Sequence, residues 1–323
     1  MTGMVSAAMT LPDDAAERPF RALHNPGSAF DADWLETVVP EPEDLHARRE
    51  RLDRTPPLAG TLELERLGRA LHCLDLTTLR STETPERVRA FARRALDPDP
   101  EDDFARGAVE PLHVAALCVL PAFVPAAREV LSGTEVRVCT VAAGFPTAHG
   151  TLAERVAEIE AAREAGADEI DVVIRRELAN ASAWRELYDE VRAFRDACAA
   201  RPMKVILATG ELADEATIVK AGAVALMAGA DFLKTSTGKE AVNATLPAGI
   251  ALAAAIRAYA AHAQVRAGLK AAGGISNPGQ ALAWLALVDV ELGSEWAGPA
   301  RFRLGASSLL DGLLARARAV VSH

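Results

Sequence analysis

A lysine interrupts the apolar run Phe232-Leu233-Lys234, and a hydroxyl-rich turn containing glycine, Thr235-Ser236-Thr237-Gly238-Lys239, follows at once. An amine placed this way suits Schiff-base chemistry. A free lysine titrates near 10.4, so at pH 7 about one in 2,500 is the neutral nucleophile; a pKa of roughly 7 would remove most of that handicap. Burial beside Phe232 and Leu233 disfavours the ammonium form. Lys270, in Ala267-Gly268-Leu269-Lys270-Ala271-Ala272-Gly273-Gly274, would add like-charge repulsion if the fold brings the two amines together. The competing reading of Lys234 is a surface or salt-bridging lysine at a strand end.

Two carboxylates, Asp75 in Leu74-Asp75-Leu76 and Asp171 in Ile170-Asp171-Val172, also stand among apolar neighbours, which is costly without a partner. Either could satisfy a structural hydrogen bond instead of taking part in chemistry. Beyond Lys270 the backbone becomes small and permissive at Gly273 and Gly274. Gly305, Ser307 and Ser308 close a final strand just before a helix, a setting in which main-chain N–H groups favour an anion. The seven histidines (His24, His46, His72, His113, His149, His262 and His323) form no HxH or HExxH pair, and Cys73, Cys118, Cys139 and Cys198 form no CxxC. These spacings predict reduced, mostly structural thiols and no metal site.

The elements that must position these groups follow from composition and periodicity. Half of the 323 residues are hydrophobic, enough for a large core. The net charge of −10 argues against a general nucleic-acid or membrane-surface binder. No uninterrupted apolar stretch reaches the ~18 residues of a membrane span, and the expected compartment is the cytoplasm.

Residues 1–64 are rich in Pro, Asp, Glu and Arg, with turn signals at Asn25-Pro26-Gly27 and Pro56-Pro57, and are expected to form a partly irregular or helical extension. From residue 65 to 323, β-branched runs alternate with Ala-, Glu- and Arg-rich helical patterns. Eight strands are expected, at Ala70 to Thr77, His113 to Leu120, Val136 to Ala142, Glu169 to Ile174, Met203 to Thr209, Phe232 to Thr237, Val265 to Ala271 and Phe302 to Ala306. Eight βα units predict an α/β fold, a (β/α)8 TIM barrel, in which the loops after strands seven and eight often bind phosphate. An internal repeat supports this. Ala165-Gly166-Ala167-Asp168 and Ala228-Gly229-Ala230-Asp231 each lead into a strand, and Asp171 and Lys234 fall at the same offset, so both should face the same way at similar barrel height.

Taken in order, these segments resemble the deoxyribose-phosphate aldolase family of Schiff-base aldolases. The likeness is carried by Leu74-Asp75-Leu76-Thr77-Thr78-Leu79, Ala142-Ala143-Gly144-Phe145-Pro146, Gly166 to Ile174, Leu207-Ala208-Thr209-Gly210-Glu211-Leu212, Lys234 to Thr245, and Gly268 to Gly274. The extension, with Asn25-Pro26-Gly27 and Asp33-Trp34-Leu35, is similar to the longer animal form.

The resemblance implies that Lys234 forms the imine, that Asp171 and Lys270 handle protons through a water, and that Asp75 and Cys118 border the site. Thr237, Gly238, Lys239, Gly273, Gly274, Gly305, Ser307 and Ser308 would meet the substrate, mostly at its phosphate. It further implies reversible cleavage of 2-deoxy-D-ribose 5-phosphate in deoxynucleoside catabolism, with small phosphosugar and aldehyde substrates and neither metal nor organic cofactor. Nucleic acid and membrane are not expected partners; a second copy in a homodimer is compatible with it. Ser276 departs from the arginine common in the family, and the chain ends at His323 without the terminal tyrosine of some members. A transaldolase-like transferase and a non-catalytic phosphosugar-binding barrel are the competing readings.

Overall fold

Alternation along each strand sends one set of side chains toward the helices and the other into the barrel. In the computed structural model, which describes residues 24–54, 59–99 and 112–322, the outward set includes Leu74, Leu76, Ile170, Val172, Met203, Val205, Leu233, Leu269 and Leu304, all within the main apolar core. The inward set is charged: Asp75, Glu169, Asp171, Lys204, Lys234, Lys270 and Arg303 are all buried.

The eight strands are β1 (Leu74–Thr78), β2 (Ala116–Val119), β3 (Arg137–Ala142), β4 (Glu169–Val173), β5 (Met203–Ile206), β6 (Phe232–Lys234), β7 (Gly268–Ala272) and β8 (Phe302–Ala306). They pair in parallel in chain order, and β8 closes on β1. This is the (β/α)8 barrel expected from the sequence. Its outer layer comprises α4 (Pro85–Leu96), α5 (Val124–Leu131), α6 (Leu152–Glu164), α7 (Arg176–Asn180), α8 (Trp184–Cys198), α9 (Glu215–Met227), α10 (Leu246–Ala263), α11 (Pro278–Glu291) and α12 (Leu309–Val321). Caps fix several helix starts: Thr84, Asp214 and Thr245 each accept a main-chain N–H, while Thr151 with Glu154 and Asn277 with Gln280 form capping boxes.

Three helices precede the barrel: α1 (Ala32–Thr37), α2 (Pro42–Asp53) and α3 (Gly60–His72). The compositional boundary at 64/65 falls inside α3, which packs against α11 and α12. Leu67, Ala70 and Leu71 turn one face of that helix inward, so the run starting at Ala70 remains helical to His72 and β1 begins only at Leu74. The strands expected at His113, Met203 and Phe232 are also shorter than their apolar runs. Beyond β5 the chain enters a 3-10 turn at Thr209–Glu211, and beyond β6 it enters the Thr235–Lys239 turn. Asn25 is fully buried: its N–H donates to Asp231 and its amide to the Leu226 and Ala230 carbonyls, latching the N-terminal strap to the start of β6. Pro56-Pro57 and His323 lie outside the described residues. α10 is long and apolar enough by composition to cross a membrane, but Arg257 interrupts it and Ala248 to Ile256 are buried in the barrel wall.

The internal repeat has a physical basis. Asp168 and Asp231 each accept a main-chain N–H from the start of the preceding strand, from Val138 and Met203, and each pairs with an arginine, Arg128 and Arg195. The same device sets the height of β4 and β6, and therefore of Asp171 and Lys234.

Candidate active site

Lys234 and Lys270 are register partners on β6 and β7. Both amines donate to one oxygen of Asp171 on β4, Oδ2, at 2.7 and 2.8 Å. The other oxygen, Oδ1, accepts from Lys204 Nζ at 2.9 Å and from Cys139 Sγ at 3.1 Å. Lys204 also reaches Glu169 at 2.7 Å. Arg303 on β8 forks onto Glu169 at 2.7 and 3.0 Å and donates to Asp75 Oδ1 at 2.7 Å, while Lys270 closes the ring on Asp75 Oδ2.

Four cations thus share three carboxylates inside the barrel. An isolated buried ion costs several kcal/mol, and only a closed network of this kind offsets that penalty. Burial alone would push the Asp171 carboxyl up, but Lys204, Lys234 and Lys270 outweigh it and hold the group well below the usual carboxylate range. Asp75 behaves likewise: burial opposes ionisation, and Lys270 and Arg303 overcome it. Burial disfavours the Lys270 ammonium too, yet Asp171 and Asp75 raise its pKa, so at neutral pH it carries its proton. Burial keeps the Cys139 thiol protonated, consistent with its donation to Asp171.

Above this network, at the C-terminal ends of the strands, opens a cavity of about 370 Å³. Lys234, Lys270, Thr237, Gly238, Lys239, Gly273, Gly274, Gly305, Ser307 and Ser308 all line it. Asp171 and Asp75 do not; they stand behind the two amines. Cys118 is buried one step further in, its Sγ within 4.8 Å of Cys139 Sγ and an Asp171 oxygen. The sequence-derived site residues therefore converge, ten on the cavity wall and three behind it.

Two of these positions leave little or no room for a side chain. A Cβ on Gly305 would lie 3.2 Å from Lys270 Cε, so β8 makes room for the amine's stem. Gly273 has φ +84°, and a Cβ there would meet Asn243 at 2.6 Å. Ser307 and Ser308 precede the first turn of α12, whose N–H groups favour an anion. The Thr235–Lys239 turn is held from within: the N–H groups of Thr237, Gly238 and Lys239 all donate to the Glu240 carboxylate, at 2.9 to 3.1 Å. Thr237, Gly238 and Lys239 of this turn line the cavity.

Lys204, Arg303, Glu169 and Cys139 complete the network without having been expected. The signal was present in the sequence. Met203-Lys204-Val205 and Phe302-Arg303-Leu304 repeat the apolar–cation–apolar pattern of Leu233-Lys234, and Glu169 lies two residues before Asp171, on the same strand face.

Cys118, Cys139 and Asp171, and likewise Asp75, Cys139 and Glu169, are close enough to hold a metal ion. The donor sets do not fit one. Their carboxylates are already bound by the Lys204, Lys234, Lys270 and Arg303 cations, and a divalent ion would add charge where cations already outnumber carboxylates.

The fold and cavity together define a (β/α)8-barrel enzyme built on buried amines. The family model described as "DeoC/LacD family aldolase" matches residues 72–296. Deoxyribose-phosphate aldolase of Bos taurus is 40% identical over 293 residues, covering 90% of this chain and 92% of that protein. The Homo sapiens protein of the same name is 40% identical over 294 residues with the same coverage. The chain belongs to the DeoC/LacD aldolase family. Among solved structures, a barrel from Toxoplasma gondii superposes with a TM-score of 0.68 at 26% identity, covering 80% of this chain and 95% of that one. The tetrameric deoxyribose phosphate aldolase of Aeropyrum pernix shares the fold, with a TM-score of 0.58 at 24% identity over 86% of this chain and 98% of that one.

Proposed function

We propose that this aldolase cleaves 2-deoxy-D-ribose 5-phosphate reversibly to D-glyceraldehyde 3-phosphate and acetaldehyde, through an imine on Lys234. One observation carries the reading: two amines on the cavity wall share one carboxylate oxygen, in a chain of this family.

Neutral Lys234 Nζ adds to the substrate aldehyde carbon, and loss of water leaves an iminium. That cation is an electron sink. As the C3 hydroxyl proton leaves, the C2–C3 bond breaks, its electron pair forms the enamine, and glyceraldehyde 3-phosphate departs. Protonation at C2 and hydrolysis release acetaldehyde and restore the amine.

Asp171, held ionised, accepts the hydroxyl proton through a water, and Lys270, held protonated, donates to the carbinolamine oxygen and the enamine carbon. Asp75 and Arg303 keep Lys270 charged and in place. Phosphate binding at Lys239, Gly273, Gly274, Ser307 and Ser308 supplies the remote binding energy that positions the aldehyde at Lys234. The physiological setting is breakdown of deoxynucleoside-derived sugar in the cytoplasm.

Borohydride reduction in the presence of substrate, followed by peptide mapping, tests this reading: the adduct belongs on Lys234 and should be absent from Lys234→Ala. An adduct elsewhere, or none in an active preparation, overturns the assignment. Acetaldehyde among the products separates cleavage from a transaldolase-like transfer.

A further inference from the structure

The cavity wall carries more positive charge than the sequence-derived phosphate set includes. Arg80, from the loop between β1 and α4, and Arg87, in the first turn of α4, line the same cavity as Lys234, Lys239, Ser307 and Ser308. The two arginines differ in their partners. Arg87 is bound to Glu83 at 3.1 Å, so its charge is answered by the loop that precedes its helix. Among the described residues Arg80 has no carboxylate within 4 Å and no side-chain hydrogen bond, although it is exposed on the cavity rim.

Its backbone is nonetheless fixed. The Glu83 N–H donates to the Arg80 carbonyl at 3.2 Å, and Glu83 is itself clamped by the Thr78 hydroxyl at 2.6 Å, at the end of β1. The arginine therefore projects from a closed turn anchored to the barrel.

A second observation comes from the turn after β6. A glycine-containing turn with three converging N–H groups is a ready anion nest, but here the Glu240 carboxylate already takes all three. From this turn, only side chains are then left to meet a phosphate. Lys270 is committed to Asp75 and Asp171, and Lys234 to Asp171. Arg80 and Lys239 remain as the uncommitted cations on the cavity wall. A guanidinium, with its planar fork of donors, matches phosphate geometry better than an ammonium does.

We propose that Arg80 is a specificity-determining residue that binds the substrate's phosphate from the β1–α4 side of the cavity, opposite in charge to the group it reads and in place of the main-chain nest occupied by Glu240. This rests on the aldolase reading above and adds to it a residue that selects phosphorylated over neutral sugars.

The test measures kcat/KM for 2-deoxyribose 5-phosphate and for 2-deoxyribose in wild type, Arg80→Ala and Arg80→Lys, with inorganic phosphate as a competitive inhibitor. A lost charge-assisted contact at a solvent-exposed rim corresponds to about a tenfold loss, the low end of its range. In Arg80→Ala the phosphorylated substrate should lose about that factor, mainly through KM. The neutral sugar should be unaffected, the phosphate inhibition constant should rise in parallel, and Arg80→Lys should recover part of the loss. An unchanged ratio between the two substrates in Arg80→Ala overturns the proposal, as does an equal loss for both, which would mean that the arginine merely holds the loop. If the wild-type protein fails to cleave either sugar, the aldolase reading itself falls, and direct titration with inorganic phosphate still decides whether Arg80 binds the anion.

Discussion

Lys204 and Lys234 have the same sequence signature, a lysine between apolar strand residues, yet replacing each by Met should damage the protein in opposite ways. Lys204 is fully buried, does not line the cavity, and lies 2.7 Å from Glu169, 2.9 Å from Asp171 and 3.9 Å from Asp75. Its removal leaves carboxylate charge exposed to a dry interior, the case in which breaking a buried pair costs about 3–5 kcal/mol. Among the described residues Lys234 pairs only with Asp171, whose Oδ2 keeps Lys270, and the space left by the longer side chain opens onto the cavity. Its removal takes one contact from one carboxylate, which keeps Lys204 and Lys270, and should therefore cost less than removal of Lys204, which takes contacts from three.

The assay is urea unfolding at pH 7 with cleavage measured on the same preparations. Lys204→Met should shift the unfolding midpoint strongly downward, whereas Lys234→Met should shift it less and be inert. If Lys234→Met is the less stable of the two, the division into a structural and a reacting amine is wrong; so too if it retains a tenth of wild-type turnover.

Asp171→Asn and Lys270→Leu should each lower kcat by about 10²-fold or more, the usual scale for a positioned acid or base, with KM changing less; a change confined to KM would move either residue to substrate binding. Because the folded carboxyls of Asp75 and Asp171 are held below their unfolded values, their contribution to stability is complete above about pH 4 and is lost as pH falls further. Lys270, raised when folded, contributes fully below about pH 10.4 and loses that contribution only above it. Unfolding free energy measured from pH 2 to 7 should show this acid limb in wild type and a shallower one in Asp171→Asn; equal slopes would mean that other carboxylates dominate. Ser276, on the cavity wall and bound among the described residues only to Gln280, leaves room for charge, so Ser276→Arg should increase the preference for phosphorylated over neutral sugar by up to about tenfold. An unchanged kcat/KM ratio would show that the phosphate lies out of its reach.

The eight-unit barrel was legible because each βα unit carries its own signals, an apolar run followed by an amphipathic helix, and because outward-facing strand positions must be apolar. The Lys234 pattern and its repeat partner Asp171 were legible for the same local reason: a charge at an inward position breaks an otherwise apolar run, and a shared Asp cap sets both strands at one height. Strand ends were less legible, because apolar character continues from α3 toward β1 and from β5 and β6 into their loops, while ladder length is decided by the neighbouring strands.

Tertiary structure alone decided which charges meet. Asp75, Glu169, Asp171, Lys204, Lys270 and Arg303 come from five strands spread over more than 200 residues, and only barrel closure, which sets β8 beside β1, joins them into one network. It also decided that the N–H groups of the Thr235–Lys239 turn face Glu240, and that Arg80 reaches the same cavity as Ser307. Sequence fixes a residue's face through the period of its strand; the meeting of faces depends on register and closure, which are set by packing across the whole barrel.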